Sequence, residues 1–480
     1  MRRTKIVCTI GPASAKPSVL EGLLRAGMDV ARLNFSHGTH EQHADVIANL
    51  RRLSERQDRP LALLQDLSGP KVRLGDIGCG PITLKRGQTI VLTTRPVAGT
   101  TDEVCLPVPA LIAALKPGDR LLADDGRVEL AVVKKTDTDV TARAVAPGVL
   151  SSRKGVTAPG VSLNIAAVTE KDKDDLRFGL AQRVDWVAAS YVRGPDDIAP
   201  LRAIMEETGV WRPVIAKIEK MEAVRNLEAI LQVVEGIMVA RGDLGVEIPI
   251  DEVPIVQKRI IRHCNAAGKP VITATQMLDS MMNNPRPTRA EVTDVANAIF
   301  DGTDAVMLSG ETAAGSYPLE SVRMMAKVAI RADAALPDRN VFSGDQRLKR
   351  QMTEVVAQAT VEMARALGAT AILCATTSGS TVRLIAKYRP DGRLIAATPV
   401  PETYRRLALT WGAAPILIGE VLDTDQMMEE TISTAANRRL IKTGDRVILT
   451  AGVPVNIVGN TNLIRVHIVG QPISPGGKPA

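Results

Sequence analysis

The chain has 480 residues, 45% of them hydrophobic and 24% charged, the balance of a globular protein rather than a disordered or membrane-spanning one, and its length predicts two or three domains. Aromatic residues make up only 2%, so the cores must be built from Ala, Val, Ile and Leu, a mixture suited to helices packed on buried parallel strands. The formal net charge of +7 is dispersed, with Lys and Arg alternating with Asp and Glu and no basic block or tail, which argues against nucleic acid as a partner and for solubility plus local sites for small phosphates.

Strand-length apolar runs, each followed by polar or Gly residues and a helix-like segment, recur eight times: KIVCTI, DVARLN, LALLQD, DWVAAS, PVIAKI, GIMVA, PVITAT and AVMLSG. Eight such units predict an α/β fold, a (β/α)8 barrel over 1–69 and 164–335 whose functional residues stand just past the strand ends. About a hundred residues separate LALLQD from DWVAAS, far more than a βα connection needs. This interval, 70–163, is rich in β-branched residues and turns (KPGDR, ADDGR, APGV) and reads as an inserted small all-β lid domain. After SVRMMAKVAIRADAALP and the polar stretch DRNVFSGDQR, the runs AILCAT, RLIAAT, APILIG and RVILTAG predict a C-terminal α/β open-sheet domain over 336–480.

Five scattered cysteines without CxxC spacing indicate neither a disulfide framework nor a zinc site and fit a reducing cytoplasm. The opening MRRTKIVCTIGPAS is too short in apolar residues for a signal peptide, and no run of about 18 apolar residues occurs, so no membrane is expected.

Alternate residues of a strand share a face, so in PVIAKIEK the side chains of Lys217 and Glu219 point the same way and Ile218 points outward. That pair alone could be a structural ion pair. In the next unit, GIMVARGDLGVE, Gly242 offers a tight turn and Asp243 a second carboxylate at the same rim. Mg²⁺ takes one or two protein carboxylates and leaves its remaining positions to substrate and water, which Glu219 and Asp243 would satisfy. Other rim candidates are Arg32, Asn34 and Ser36 in ARLNFSHG, Asp66 and Arg73 in QDLSGPKVR, Thr275 in ATQML, and Ser309 and Glu311 in MLSGET. Each has an ordinary alternative as an ion-pair partner or helix cap; their shared place at one end of one barrel favours function.

The ordered series TKIVCTIGPAS, RLNFSHG, GVTAPG, KIE, ARGDLGVE, ATQMLDSM and PRPTRAEVTDVANAIFDGTDAVMLSGETAAG resembles pyruvate kinase over nearly the full length, in the bacterial form that begins directly at the barrel. The resemblance implies transfer of the phosphoryl group of phosphoenolpyruvate to ADP, giving pyruvate and ATP in the last step of glycolysis, in a cytoplasmic homotetramer. It implies that Arg32 binds the transferring phosphoryl group and Lys217 counters charge on the bridging oxygen and enolate. Glu219 and Asp243 would hold Mg²⁺, or Mn²⁺ in its place, and the Gly242 and Asp243 amides would receive the substrate carboxylate. Thr275 would lie where the enolate carbon is protonated, with Ser309 and Glu311 in the polar chain that delivers the proton. Arg73 and Lys154, with Asn34 and His37, would form the nucleotide side.

Many pyruvate kinases hold K⁺ at positions corresponding to Asn34, Ser36, Asp66 and Leu67, with a Glu after the Gly-Pro of the third loop. Here that Glu is replaced by Lys71, as in the K⁺-independent subgroup, and a tethered ammonium would supply the ion's charge; the plain alternative is a solvent-facing lysine. The loop Thr376, Thr377, Ser378, Gly379, Ser380 and Thr381 corresponds to the family's site for a sugar-phosphate or nucleotide effector, or else is an ordinary helix cap. The later loop AGVPVNIVGNTN lacks the Trp and Arg that help hold fructose bisphosphate. His37, His40 and His43 lack metal-pair spacing and read as solvated helix positions. Two rivals remain: another magnesium-dependent barrel acting on phosphoenolpyruvate or a keto acid, and a catalytically weak phosphometabolite-binding regulator.

Overall fold

The computed structural model describes residues 2–161, 163, 165–336, 351–421, 423–453 and 461–473. Eight parallel strands close into a barrel: Lys5–Ile10, Val30–Asn34, Ala62–Asp66, Trp186–Ala189, Val214–Ile218, Gly236–Ala240, Val271–Ala274 and Ala305–Leu308. All eight expected runs are there. The two-residue period sorts each strand's side chains. On the fifth strand Val214, Ala216 and Ile218 pack outward under the helices, and Ile215 packs inside the barrel. Lys217 continues the inward row toward the mouth, followed by Glu219. The second strand repeats this, with Ala31 and Leu33 outward, Val30 inward and Arg32 next in the inward row. The barrel's inside is thus apolar at its lower levels and charged at its upper rim. Each fully buried Val, Ile or Met in the lower levels contributes roughly 1.5–3 kcal/mol.

The outer helices start on signals legible in the chain. Thr39, Thr169 and Thr288 each cap a helix and exchange a second hydrogen bond with the third helical residue, Gln42, Asp172 and Glu291 respectively.

The inserted segment forms a six-stranded curled sheet and a two-stranded ribbon around its own core, which runs from Val72 to Ala158. It also holds a short helix, Pro109–Ala114, that starts on a proline; an all-β reading of the interval omits it. The C-terminal sheet has five strands, and its edge strand Thr461–Ile468 runs antiparallel to its neighbour Arg446–Gly452. The stretch DRNVFSGDQR and part of AGVPVNIVGNTN lie outside the described residues.

The C-terminal domain docks under the barrel, at the strand starts. Lys5 Nζ donates to the Ala413 carbonyl at 2.7 Å, Arg389 pairs with Asp304 at 3.0 Å and Arg405 with Asp185 at 2.8 Å. Ala408 and Leu409 complete the packing of the barrel interior from below. The upper rim is therefore free for chemistry. Among the described residues no helix is long and apolar enough to cross a membrane.

Candidate active site

Strands two, three and five deliver four charges to one point. Arg32 Nε donates to Asp66 Oδ2 at 2.5 Å and its Nη1 to Thr9 Oγ1 at 2.9 Å. Lys217 Nζ lies 2.8 Å from Glu219 Oε1 and 3.3 Å from Asp66 Oδ1, and donates to Ser190 Oγ at 2.7 Å. Asp66 and Glu219 are each only 1% exposed. Burial works against the Asp66 carboxylate, but the Arg32 and Lys217 charges hold its pKa below the usual range. Burial likewise works against the Lys217 ammonium, and Asp66 and Glu219 overcome it and raise its pKa. Lys217 is thus fixed as a cation.

Glu219 goes the other way. Burial first, and the neighbouring Asp243 charge next, raise its pKa in spite of Lys217. Its Oε1 takes Lys217 and its Oε2 accepts the Tyr191 amide at 2.7 Å, which leaves a carboxylate with further lone pairs to offer. Asp243, on helix Arg241–Glu247, is more open. A desolvated carboxylate beside a second one is a place where a divalent cation relieves the local charge, and two carboxylates are what Mg²⁺ takes from a protein. Among the described residues no group of three or more His, Cys, Asp or Glu gathers as a metal cluster.

The Gly242 amide donates to Thr275 Oγ1 at 2.7 Å, and that hydroxyl donates to the Ala274 carbonyl at 2.6 Å. Gly242 sits in the first turn of its helix and not in a left-handed turn. Thr275 and Gln276 instead carry the unusual backbone, with φ of 69° and 53°, a costly conformation for a β-branched residue. Arg241 braces this turn by donating to the Ala274 and Thr275 carbonyls at 3.2 and 2.7 Å while pairing with Asp294 at 2.7 Å. Beyond Thr275, Glu311 accepts the Ser309 amide at 2.7 Å and the Leu278 amide at 3.0 Å, and its burial raises its pKa. The buried Ser309 hydroxyl has no hydrogen-bond partner among the described residues.

On the other side of the mouth, Lys71 Nζ stands 3.8 Å from Asp243 Oδ1. Asn34 Oδ1 accepts the Ser36 amide at 3.1 Å, Ser36 Oγ donates to Ser68 Oγ at 3.1 Å, and the Leu67 carbonyl accepts Ser190 Oγ at 2.7 Å. Arg73 is exposed, bridges Gly155 of the β domain through its backbone, and donates to the Arg153 carbonyl at 3.1 Å. Lys154 Nζ pairs with Asp124 at 2.7 Å. Burial and the charges of Arg73, Arg32 and Lys71 lower the His37 pKa, so these cations flank one wall. A cleft between barrel and β domain is lined by Tyr191 and Asp243 of the barrel and by Lys71, Asp125, Gly155 and Thr157 of the inserted segment.

The histidine reading needs correction. His37 precedes the helix, His43 stacks on Phe35 with ring centroids 4.1 Å apart, and His40 stacks on Phe178 and pairs with Asp175 at 2.7 Å. Two of the three are packed against aromatic rings because the helix turns them inward.

Thr9, Ser190 and Tyr191 join the site without having been expected there. Applying the strand-end rule to KIVCTI and DWVAAS points to Thr9 and Ser190; Tyr191 acts through its backbone amide, which no side-chain pattern reveals.

The fold agrees with what the chain is similar to. The family model described as "Pyruvate kinase, barrel domain" matches residues 1–322, and "Pyruvate kinase, alpha/beta domain" matches residues 354–467. The chain belongs to the pyruvate kinase family. It is 47% identical to a pyruvate kinase of Geobacillus stearothermophilus over 99% of this chain and 82% of that one. It is 46% identical to a pyruvate kinase of Staphylococcus epidermidis over the same shares. A crystal structure of a pyruvate kinase from Cryptosporidium parvum superposes with a TM-score of 0.89 at 35% identity, covering 97% of this chain and 96% of that one. The protein is therefore an enzyme with pyruvate kinase activity, whose substrates are phosphoenolpyruvate and ADP.

Proposed function

We propose that in this pyruvate kinase Glu219 and Asp243 would hold a Mg²⁺, and that the enzyme needs no K⁺ because Lys71 supplies the positive charge. The observation that carries this reading is the Lys217–Glu219 contact of 2.8 Å beside Asp243, with Lys71 at 3.8 Å from Asp243. Arg32 and Lys217 are set against Asp66, Glu219 and Asp243, and Lys71 adds a third cation beside Asp243. In this reading a bound Mg²⁺ or Mn²⁺ would supply electrostatic stabilisation of the carboxylate and phosphate oxygens.

The chain's own residues do the rest. Arg32 clamps the phosphoryl oxygens, and its tie to Asp66 and Thr9 fixes its fork. Lys217 faces the bridging oxygen as the bond to phosphorus breaks and the enolate forms, and its raised pKa keeps the proton on nitrogen. Thr275 stands at the enolate carbon, with Ser309 and Glu311 behind it. The Gly242 and Asp243 amides receive the substrate carboxylate, which requires the Thr275 hydroxyl to release the Gly242 amide. Arg73, Lys154, Asn34 and His37 take the nucleotide, Lys154 by leaving Asp124.

The same reading includes a phosphate-bearing effector at Thr376–Thr381. It is supported by Gly379 at φ 80° and by Ser378 and Ser380, whose hydroxyls lie 3.0 Å apart at a helix start. It also includes a cytoplasmic homotetramer and domain limits at 69/70, 163/164 and 335/336. The test is a coupled assay of pyruvate formation from phosphoenolpyruvate and ADP. Activity should vanish on chelation of divalent cations, return with Mg²⁺ or Mn²⁺, and drop sharply in Glu219→Gln. Full activity in chelator would overturn the metal assignment.

A further inference from the structure

Both chain segments that connect the β domain to the barrel rest on one short loop after the fourth strand. On the outgoing side Gly69, at φ 66°, presses so closely that an added Cβ would meet Tyr191 Cδ2 at 2.8 Å and Ser190 Cβ at 3.0 Å. On the return side Arg193 Nη1 donates to the Leu163 carbonyl at 2.7 Å and its Nη2 to the Ile165 carbonyl at 3.0 Å. The guanidinium is itself fixed from behind. Its Nη2 and Nε bond the two Asp197 oxygens at 2.8 and 3.1 Å, the Arg193 amide bonds Asp197 at 2.8 Å, and Asn226 donates to its carbonyl at 2.8 Å.

The first residues of the same loop touch the reacting cluster. Ser190 Oγ accepts Lys217 and donates to the Leu67 carbonyl, and the Tyr191 amide bonds Glu219, with Tyr191 at φ 55°. Four consecutive residues thus hold Lys217 and Glu219 at one end and the segment returning from the β domain, at Leu163 and Ile165, at the other. A planar guanidinium is suited to this, since its donors span two carbonyls and a carboxylate in one fixed fork. A lysine has no such geometry.

We propose that Arg193 is a positioning residue that sets where the β domain stands over the barrel mouth, and that the loop Ser190–Arg193 couples that position to Lys217 and Glu219. This rests on the reading that the β domain carries part of the nucleotide site through Lys154. Releasing the clamp then weakens ADP binding more than it slows the chemical step, because the Arg193 guanidinium bonds Leu163, Ile165 and Asp197 and not Lys217 or Glu219.

Cys79, in the β domain, is the one exposed cysteine of the five and takes a fluorescent maleimide. In the full-length enzyme, Arg193→Ala should add a fast segmental component to the anisotropy decay of that dye. It should also raise KM for ADP about tenfold, the scale of one charged hydrogen bond lost, while KM for phosphoenolpyruvate and kcat change much less. Arg193→Lys should fall between, and Asp197→Asn should resemble it. Wild-type anisotropy in a folded Arg193→Ala enzyme overturns the proposal, as does a fall in kcat with KM for ADP unmoved. Lys154→Ala separates the two readings: it should raise KM for ADP with wild-type anisotropy, and an unchanged KM there overturns the nucleotide assignment while the anisotropy of Arg193→Ala still decides the clamp.

Discussion

Lys217 Nζ lies 2.8 Å from Glu219 Oε1, two residues further along the same chain, and the two side chains are neighbours because they share the inward row at the end of the fifth strand. With Asp66 at 3.3 Å, Lys217 is, among the described residues, the only positive charge that meets both buried carboxylates directly at these distances. Lys217→Ala should lower kcat by about 10²–10³-fold, the scale of removing one preorganised stabiliser of developing charge. It should also destabilise the fold by roughly 3 kcal/mol, because two buried carboxylates lose a partner. Steady-state kinetics and thermal unfolding on one preparation check both.

The raised pKa of Glu219 has a definite sign in its effect on metal binding. The cation binds the ionised carboxylate, so binding must expel a proton wherever Glu219 is protonated. Apparent affinity for Mg²⁺ should therefore weaken as pH falls, beginning above the pH at which an exposed glutamate protonates. Asp66, held low by Arg32 and Lys217, should remain ionised through that range. The pH dependence of KM for Mg²⁺ measures this; a flat profile down to the ordinary carboxylate range contradicts it.

Thr275 holds a left-handed backbone that a β-branched residue adopts at a cost. Thr275→Gly should remove that cost and raise stability by about 1 kcal/mol, and at the same time lose the hydroxyl that meets the Gly242 amide. Stability up with turnover down is the expected pair of results, with Thr275→Ser retaining most of the activity. Calorimetry together with the coupled assay reads both.

Lys5 offers a test away from the site. Burial pulls its pKa down to about 8, against an opposing pull from Asp29, while the unfolded chain keeps the ordinary lysine value. The unfolded state then binds more protons between those two values, so stability rises with pH across that window. The full penalty below it is about 3 kcal/mol. Lys5→Met should flatten this part of the stability profile relative to wild type.

The barrel was legible because its strands are buried on both faces and so stand out as short apolar runs, each followed by a helical segment, and the places of Lys217, Glu219 and Asp243 were legible because each lies at or just past a strand end. What it hid are contacts that side-chain identity does not encode. Tyr191 serves Glu219 through an amide that any residue but proline would offer. The left-handed turn at Thr275 runs against local preference, and Gly242, the residue suited to such a turn, sits instead in a helix. His40 and His43 looked solvated until the helix phase set them against Phe178 and Phe35. The antiparallel edge strand Thr461–Ile468 has no run of buried residues to announce it, since only one face meets the domain.

Lys71 is where the proposed mechanism departs most from a family that commonly uses K⁺, and a K⁺ titration of the coupled assay tests it most directly. With Mg²⁺ present and monovalent cations replaced by a bulky ammonium salt, the enzyme should turn over at close to its full rate, and added K⁺ should change that rate little. Lys71→Glu should lose this activity and recover part of it on adding K⁺. An absolute requirement for K⁺ in the unaltered enzyme would contradict the account.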